Sequence, residues 1–272
     1  MTHSTVPHTQ ARRPATVPAN RRFGAGILVG ALVSVGVVAI ALGSGIGARL
    51  ASVPLGPMES RSYTQPLDGV NRAAVRLQFG AGQLTLGALD SRDGSVAKAT
   101  YDGPAEYLPE PTYRVRDGVG ELAYVIRDTN EVRLPFVGRA RDAARMDVQL
   151  APAVPMTLDI EAGAAESRLD LSALQITRLD LQTGVANTRV RLPEAAGRTA
   201  VSLKGGVTDV TLDVPQGVAA DIRVSDGLAG RQIDERRFRP VGGGHYRSPE
   251  YDTAPNRVDL QIELGLASLT IH

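Results

Sequence analysis

The sequence predicts an all-β domain of stacked strand–Gly–strand repeats, preceded by one N-terminal transmembrane helix. Three observations carry this. First, a unit recurs three times between Met156 and Val214, with Gly163, Gly184 and Gly206 standing 21 and 22 residues apart. A fixed period near 20 residues is the mark of stacked β units. Second, apolar and polar residues alternate within each unit: Leu158 and Ile160 against Asp159 and Glu161, Leu169 and Leu171 against Arg168 and Asp170. Period two sends one set of side chains to a core and the other to water. Third, Phe23 to Ala48 is a run of 26 residues without a charge.

From the N-terminus, residues 1–22 are Thr, His, Pro, Ala and Arg without apolar periodicity, and read as a disordered tail. As a helix, residues 23–48 would reach about 39 Å, against a hydrocarbon core of about 30 Å. A secretory signal is the competing reading, but its apolar region is normally about 7–15 residues long. The length favours an uncleaved anchor. Arg12, Arg13, Arg21 and Arg22 precede it and only Arg49 follows closely. The positive-inside rule then puts the N-terminus in the cytoplasm and the β-domain outside the cytoplasmic membrane. Residues 49–66 hold several prolines and no apolar alternation, and are expected to be a linker. From residue 67 to 145, β-like runs such as Tyr113-Arg-Val-Arg and Leu122-Ala-Tyr-Val-Ile are separated by Asp-Gly and Pro-rich breaks. Arg139 to Met146 has the pattern of a short helix or a polar crossing.

Residues 146–272 hold the repeats. Leu158, Ile160, Leu169, Leu171, Leu179, Leu181, Val190, Leu192, Val210 and Leu212 are expected to be buried together. The glycine in each unit is expected to serve a turn with positive φ, which glycine takes at no steric cost. A parallel solenoid and a stack of antiparallel hairpins both fit the spacing. Ala220-Asp-Ile-Arg-Val224, with Gly227 behind it, supplies a further leading strand. Gly227 to Gly265 spans 38 residues, nearly two units, so an insert from Gly230 to Arg257 interrupts the period. Insertions in repeat folds emerge as loops on one face. The candidate partner-binding residues are therefore Arg231, Arg236, Arg237, Arg239, Tyr246 and Tyr251, which combine charge, planar donors and stacking surface. The competing reading is a long hairpin whose arginines meet Asp234, Glu235, Glu250 and Asp252.

Composition narrows the chemistry. There is no Cys and no Trp, so disulfides and thiolate chemistry are excluded and the core must be aliphatic. Residues 49–272 carry 26 basic and 29 acidic residues (all 29 acids, and the 30 bases less the four arginines before the anchor), a mixed balance of about −3 that does not suit nucleic acid. Among the four histidines, none pairs with another at metal-ligand spacing. Asp159, Glu161, Asp170, Asp180, Asp213, Asp221, Asp259 and Glu263 all fall on the outward beats of strands, interleaved with Arg168, Arg189, Arg191, Lys204 and Arg223. No nucleophile elbow or phosphate loop is present. No catalytic residue, metal or cofactor is predicted.

The run Met146 to Gly163, then Leu169-Asp-Leu-Ser-Ala-Leu174, Leu179-Asp-Leu-Gln-Thr-Gly184 and Val190-Arg-Leu-Pro193, resembles the toast-rack family. Val75-Arg-Leu-Gln-Phe-Gly-Ala-Gly-Gln-Leu-Thr-Leu86 is similar to that family's N-terminal module, and Tyr246 to Val258 to its usual last hairpin. The resemblance covers roughly Ser60 to His272, as a module over 67–145 and another over 146–272. The family is related to the C-terminal domains of membrane-bound cell-envelope stress regulators and to bacterial adhesin-like proteins. This chain has Gly-Ala-Ala, Gly-Val-Ala and Gly-Leu-Ala where the family favours Gly-Ala-Gly, and one span where the regulators have several. The resemblance implies a non-catalytic extracytoplasmic module, adhesin-like or regulatory, that contacts an envelope polymer or a membrane protein. The alternatives are a polysaccharide-active β-solenoid enzyme and a plain spacer.

Overall fold

A computed structural model describes residues 57–125, 144–228 and 230–272. The expected tail and transmembrane helix lie outside the described residues. No helix among the described residues is long and apolar enough to cross a membrane. The strands are β1 (Met58–Pro66), β2 (Arg72–Ala88), β3 (Ser95–Pro104), β4 (Glu110–Arg116), β5 (Val119–Val125), β6 (Arg145–Leu150), β7 (Met156–Asp170), β8 (Ile176–Arg191), β9 (Arg198–Asp213), β10 (Ala219–Leu228), β11 (Arg231–Ile233), β12 (Arg239–Gly242), β13 (His245–Arg247) and β14 (Arg257–Ile271). The chain is all-β over these residues, apart from one 3₁₀ turn at Ala105–Tyr107.

The repeats form a parallel stack rather than a pile of antiparallel hairpins. β7 pairs with β2 and β8, β8 with β9, β9 with β14 and β14 with β10, all in parallel. Each long strand must bend. The 15 residues of β7 would span about 50 Å if straight. Yet residues 171–175 alone return the chain to place Ile176 beside Met156, and they reach roughly 20 Å. The bend falls at the glycine, and the inward phase changes there. Leu158, Ile160 and Ala162 are buried before Gly163, whereas Ala165, Ser167, Leu169 and Leu171 are buried after it. The one-residue shift lets both arms of a coil turn their apolar residues to the same interior. All ten residues expected in the core are buried there in one cluster.

The corner glycines stack in register, and their requirement is not the one expected. Gly163, Gly184, Gly205, Gly206 and Gly265 do not have positive φ. A Cβ on Gly184 would lie 2.8 Å from the carbonyl oxygen of Gly163, and one on Gly265 2.7 Å from that of Gly206. On Gly163 the clash with the Gly80 carbonyl would be closer still. Glycine is needed because each corner backbone rests on the one below, not because of its torsion.

Coil order departs from chain order at both ends, in the same way. β14 enters between β9 and β10, and the outer coil beyond it is split into β10 on one arm and β11 on the other. At the opposite end β2 lies between β7 and an outer coil split into β5 and β6. β4 then covers β5, and β3 and β1 cover β6, all antiparallel. The β-modules expected over 67–145 and 146–272 thus share one continuous sheet. The linker expected to reach Pro66 gives way to β1 at Met58. That strand shows no alternation because it is an edge, mostly exposed and held by backbone pairing with β3 and by Tyr63. Arg145 and Met146 open β6 rather than a helix. All described aromatics lie at the two ends, Phe79, Tyr63, Tyr101, Tyr107, Tyr113 and Tyr124 at one and Phe238, Tyr246 and Tyr251 at the other; the stack between is aliphatic.

Candidate functional site

The insert forms the cap of the last coil. Ile271 accepts the backbone N–H of Asp234 through its carbonyl, and Asp234 in turn caps a tight turn by accepting from Arg236, Arg237 and Phe238. That turn drives Phe238 fully into the core. The chain then runs back as the β12–β13 hairpin, and β13 pairs antiparallel with β10, setting Arg247 beside Asp221 and His245 beside Arg223. Gly242, Gly243 and Gly244 have positive φ and make the hairpin turn.

Beneath this hairpin lies a charged cluster. Asp221, expected on a solvent-facing beat, is buried. It does point away from the aliphatic core, but the cap covers that face. Three basic groups meet it: Arg223 Nη1 at 2.9 Å, His245 Nε2 at 3.2 Å and Arg247 Nε at 3.3 Å. Its register neighbour Asp259 accepts a bond from the Tyr251 hydroxyl and pairs with Arg198 at 2.7 Å. Burial alone would raise the Asp259 carboxyl, but hydrogen bonds from Tyr251 and Arg198 and the charges of Arg198 and Arg223 outweigh it and hold it below the usual carboxylate range. Burial, with the carboxylate beside it, pushes the Tyr251 phenol up to about 12. Arg247 also bonds Asp252 at 2.6 Å and lies over the Tyr251 ring at 4.6 Å. The cluster fastens the cap to β10 and β14.

The six candidate residues divide accordingly. Arg237 donates to the carbonyls of Val214 and Pro215 at 2.7 and 3.0 Å and covers the Phe238 ring, so it is part of the fold. Tyr251 is buried in the cluster. Arg236 and Arg239 are exposed. Arg231 is exposed and sits 6.0 Å from the ring of half-buried Tyr246. These two, with Ile233, Asp234, Glu235 and His272, edge a surface depression of about 460 Å³. Of the four acids expected to meet the arginines, Asp252 does so through its carboxylate.

Sequence reasoning missed Arg198, Arg247 and His245, and misplaced Asp221. Nothing in the linear pattern brings Arg198 to Asp259, because the swap of β14 and β10 sets that register. It also missed an exposed aliphatic ridge beside the glycine corner. Val185, Val207 and Leu266 stand in register there, and Val207 and Leu266 are 44% and 55% exposed.

Elsewhere most of the outward carboxylates are matched by bases, while Asp170 accepts from Ser172. Arg76 bridges Asp159 and Glu161 at 3.8 and 2.8 Å, Arg178 pairs with Asp180 at 2.5 Å, Arg191 with Asp213 at 3.7 Å and Lys204 with Glu263 at 2.9 Å. Among the described residues no three His, Asp or Glu side chains gather to hold a metal ion.

In fold, the chain is similar to the crystal structure of a "putative cell adhesion protein" from Clostridium sporogenes. The TM-score is 0.72 at 20% identity, over 79% of this chain and 99% of that one. A "putative adhesin" from Bacteroides fragilis aligns over 79% of this chain and 97% of its own at 10% identity, with a TM-score of 0.35 that carries no weight. No curated protein matches the chain. The family model described as the N-terminal domain of toast_rack, DUF2154, matches residues 55–213, more than half of the chain. The chain belongs to the toast-rack family.

Proposed function

We propose that this protein is a membrane-anchored, non-catalytic module held outside the cytoplasmic membrane. It contacts an envelope polymer or a membrane protein through the cap end of its stack, in adhesion or in the regulation of envelope stress. The observation that carries this reading is the ion pairing of the outer carboxylates. A carboxylate held in an ion pair by Arg178 or Lys204 is engaged rather than free to act as an acid or base. Arg236 and Arg239 are exposed on the cap, and Arg231 is exposed beside Tyr246. Guanidinium groups on a rigid hairpin suit bidentate recognition of anionic groups. The fold shared with the Clostridium sporogenes protein is in keeping with an adhesive role. The anchor rests on the uncharged run 23–48 and on the four arginines before it.

The test uses the full-length chain purified in detergent and offered to isolated envelope polymer and to solubilised membranes. Retention by either, reduced about tenfold in an Arg236→Ser/Arg239→Ser double variant, supports the reading. Release of soluble sugar from the polymer would overturn it in favour of an enzyme, and undiminished retention by the variant would move the contact off the cap. Protease added to intact spheroplasts should remove the β-domain; a β-domain that survives there is not outside.

A further inference from the structure

The branched sheet ends in four strands, and three of the four are very short or carry a proline inside the strand. β4 has Pro111 within it and charges at Glu110, Arg114 and Arg116. β12 is four residues long with Pro240 inside, and β11 is three residues long. Prolines, charges and shortness are the usual means of blunting a sheet edge. β1 is the least protected of the four, its one proline and the register shift beside it falling at its end. It is nine residues long, Pro66 is only its last residue, and among the described residues it pairs with β3 alone. Its two charges, Arg61 and Glu59, neutralise each other within the strand at 3.0 Å. Its free edge is a template for another strand.

We infer that this edge pairs with β1 of a second copy of the chain, antiparallel about Ser62, so that one sheet runs through both molecules. Self-complementarity argues for that occupant. Antiparallel pairing centred on Ser62 aligns Glu59 through Gln65 of the two copies, the stretch ahead of the proline. It sets Ser62 against Ser62 of the second copy and Ser60 against Thr64, both hydroxyl pairs that suit a sheet surface. On the other face it sets Arg61 against Tyr63, and Glu59 against Gln65. No like charges meet. Centring on Arg61 would oppose two arginines, and a parallel pairing would oppose Glu59 to Glu59 and Arg61 to Arg61, so both are disfavoured. A two-fold axis closes this contact at a dimer.

The chain has no cysteine, so single cysteines report the register cleanly in the full-length protein. Residues directly opposed across an antiparallel pair have Cα atoms about 4.5–5.5 Å apart, within disulfide reach. Under mild oxidation Ser62→Cys should cross-link to a covalent dimer. Ser60→Cys and Thr64→Cys should each stay monomeric, because each lies four residues, about 13 Å, from its own copy. Mixing those two should restore the cross-link. Sedimentation should show a dimer for the parent and a monomer for Ser62→Lys, which keeps the backbone pairing of β1 with β3, gives up only the hydroxyl contact with Thr100, and opposes two lysines. A parent that stays monomeric at every concentration overturns the proposal. So does equal cross-linking at all three positions, or an edge that instead takes up a peptide from another protein.

Discussion

At the scale of the residue, the corner glycines and the cap carboxylates make the sharpest claims. Gly184→Ala should destabilise the protein by about 1–3 kcal/mol, since a Cβ 2.8 Å from a carbonyl oxygen forces backbone apart. Gly87→Ala is the control: its site is open and its φ is not positive, so urea midpoints should fall for the first variant and hold or rise for the second. The spacing of 21 and 22 residues made these glycines legible in the sequence. Their reason was not, because a steric demand between coils leaves no trace along one coil. Asp259 titrates in a predictable sense. Its folded carboxyl lies below the ordinary value, so its contribution is full above the unfolded value of about 4 and is lost as pH falls through the lowered folded one. Asp259→Asn should therefore flatten the acid limb of Tm against pH. Tyr251 works in the opposite sense: with its phenol pushed up to about 12, stability is lost as pH climbs from about 10 towards that value, a slope that Tyr251→Phe should remove.

At the scale of the element, strands with a buried face were legible and strands without one were not. Leu158 to Leu212 announced β7, β8 and β9 by alternation, and all their predicted core positions are buried. β1 offers no such signal, since Ser60, Ser62 and Thr64 face water and it is held by backbone bonding to β3 and by Tyr63. The insert was legible as an interruption but not as a cap. Phe238 and Arg237 lie in a charge-mixed stretch that reads as solvated, yet one fills the core and the other satisfies two carbonyls at the end of β9. A loop replacement of all three neighbouring arginines would therefore not be silent. Arg237→Ser should cost about 1–3 kcal/mol, by leaving the carbonyls of Val214 and Pro215 without their donor and baring Phe238. Arg236→Ser and Arg239→Ser, on exposed side chains, should each stay within about 0.5 kcal/mol. Chemical denaturation of the three single variants separates the structural arginine from the two available for contact.

At the scale of the whole molecule, the stack is a nearly one-dimensional object with two differently finished ends. Coils β2, β7, β8, β9 and β14 each have a parallel neighbour on both sides and share one aliphatic interior. Their stability is set by nearest-neighbour contacts, as in other stacked repeats. The swapped order at each end has a mechanical consequence. Because β14 is buried between β9 and the split coil β10–β11, the last residues of the chain cannot leave without opening the layer outside them. The same holds for β2 under β5 and β6. The C-terminal end of the domain is thus locked beneath an outer layer, whereas its first strand, β1, lies at the sheet edge. Native-state hydrogen exchange should reflect this. Amides of β14, although near the C-terminus, should exchange as slowly as those of β8 in the middle, through global unfolding alone. Those of β12 and β4, each at a sheet edge, should exchange through local opening at free energies well below the global value. If β14 exchanges as fast as β12, the terminal coil opens independently, and the interleaving of β14 between β9 and β10 does not hold the end of the stack.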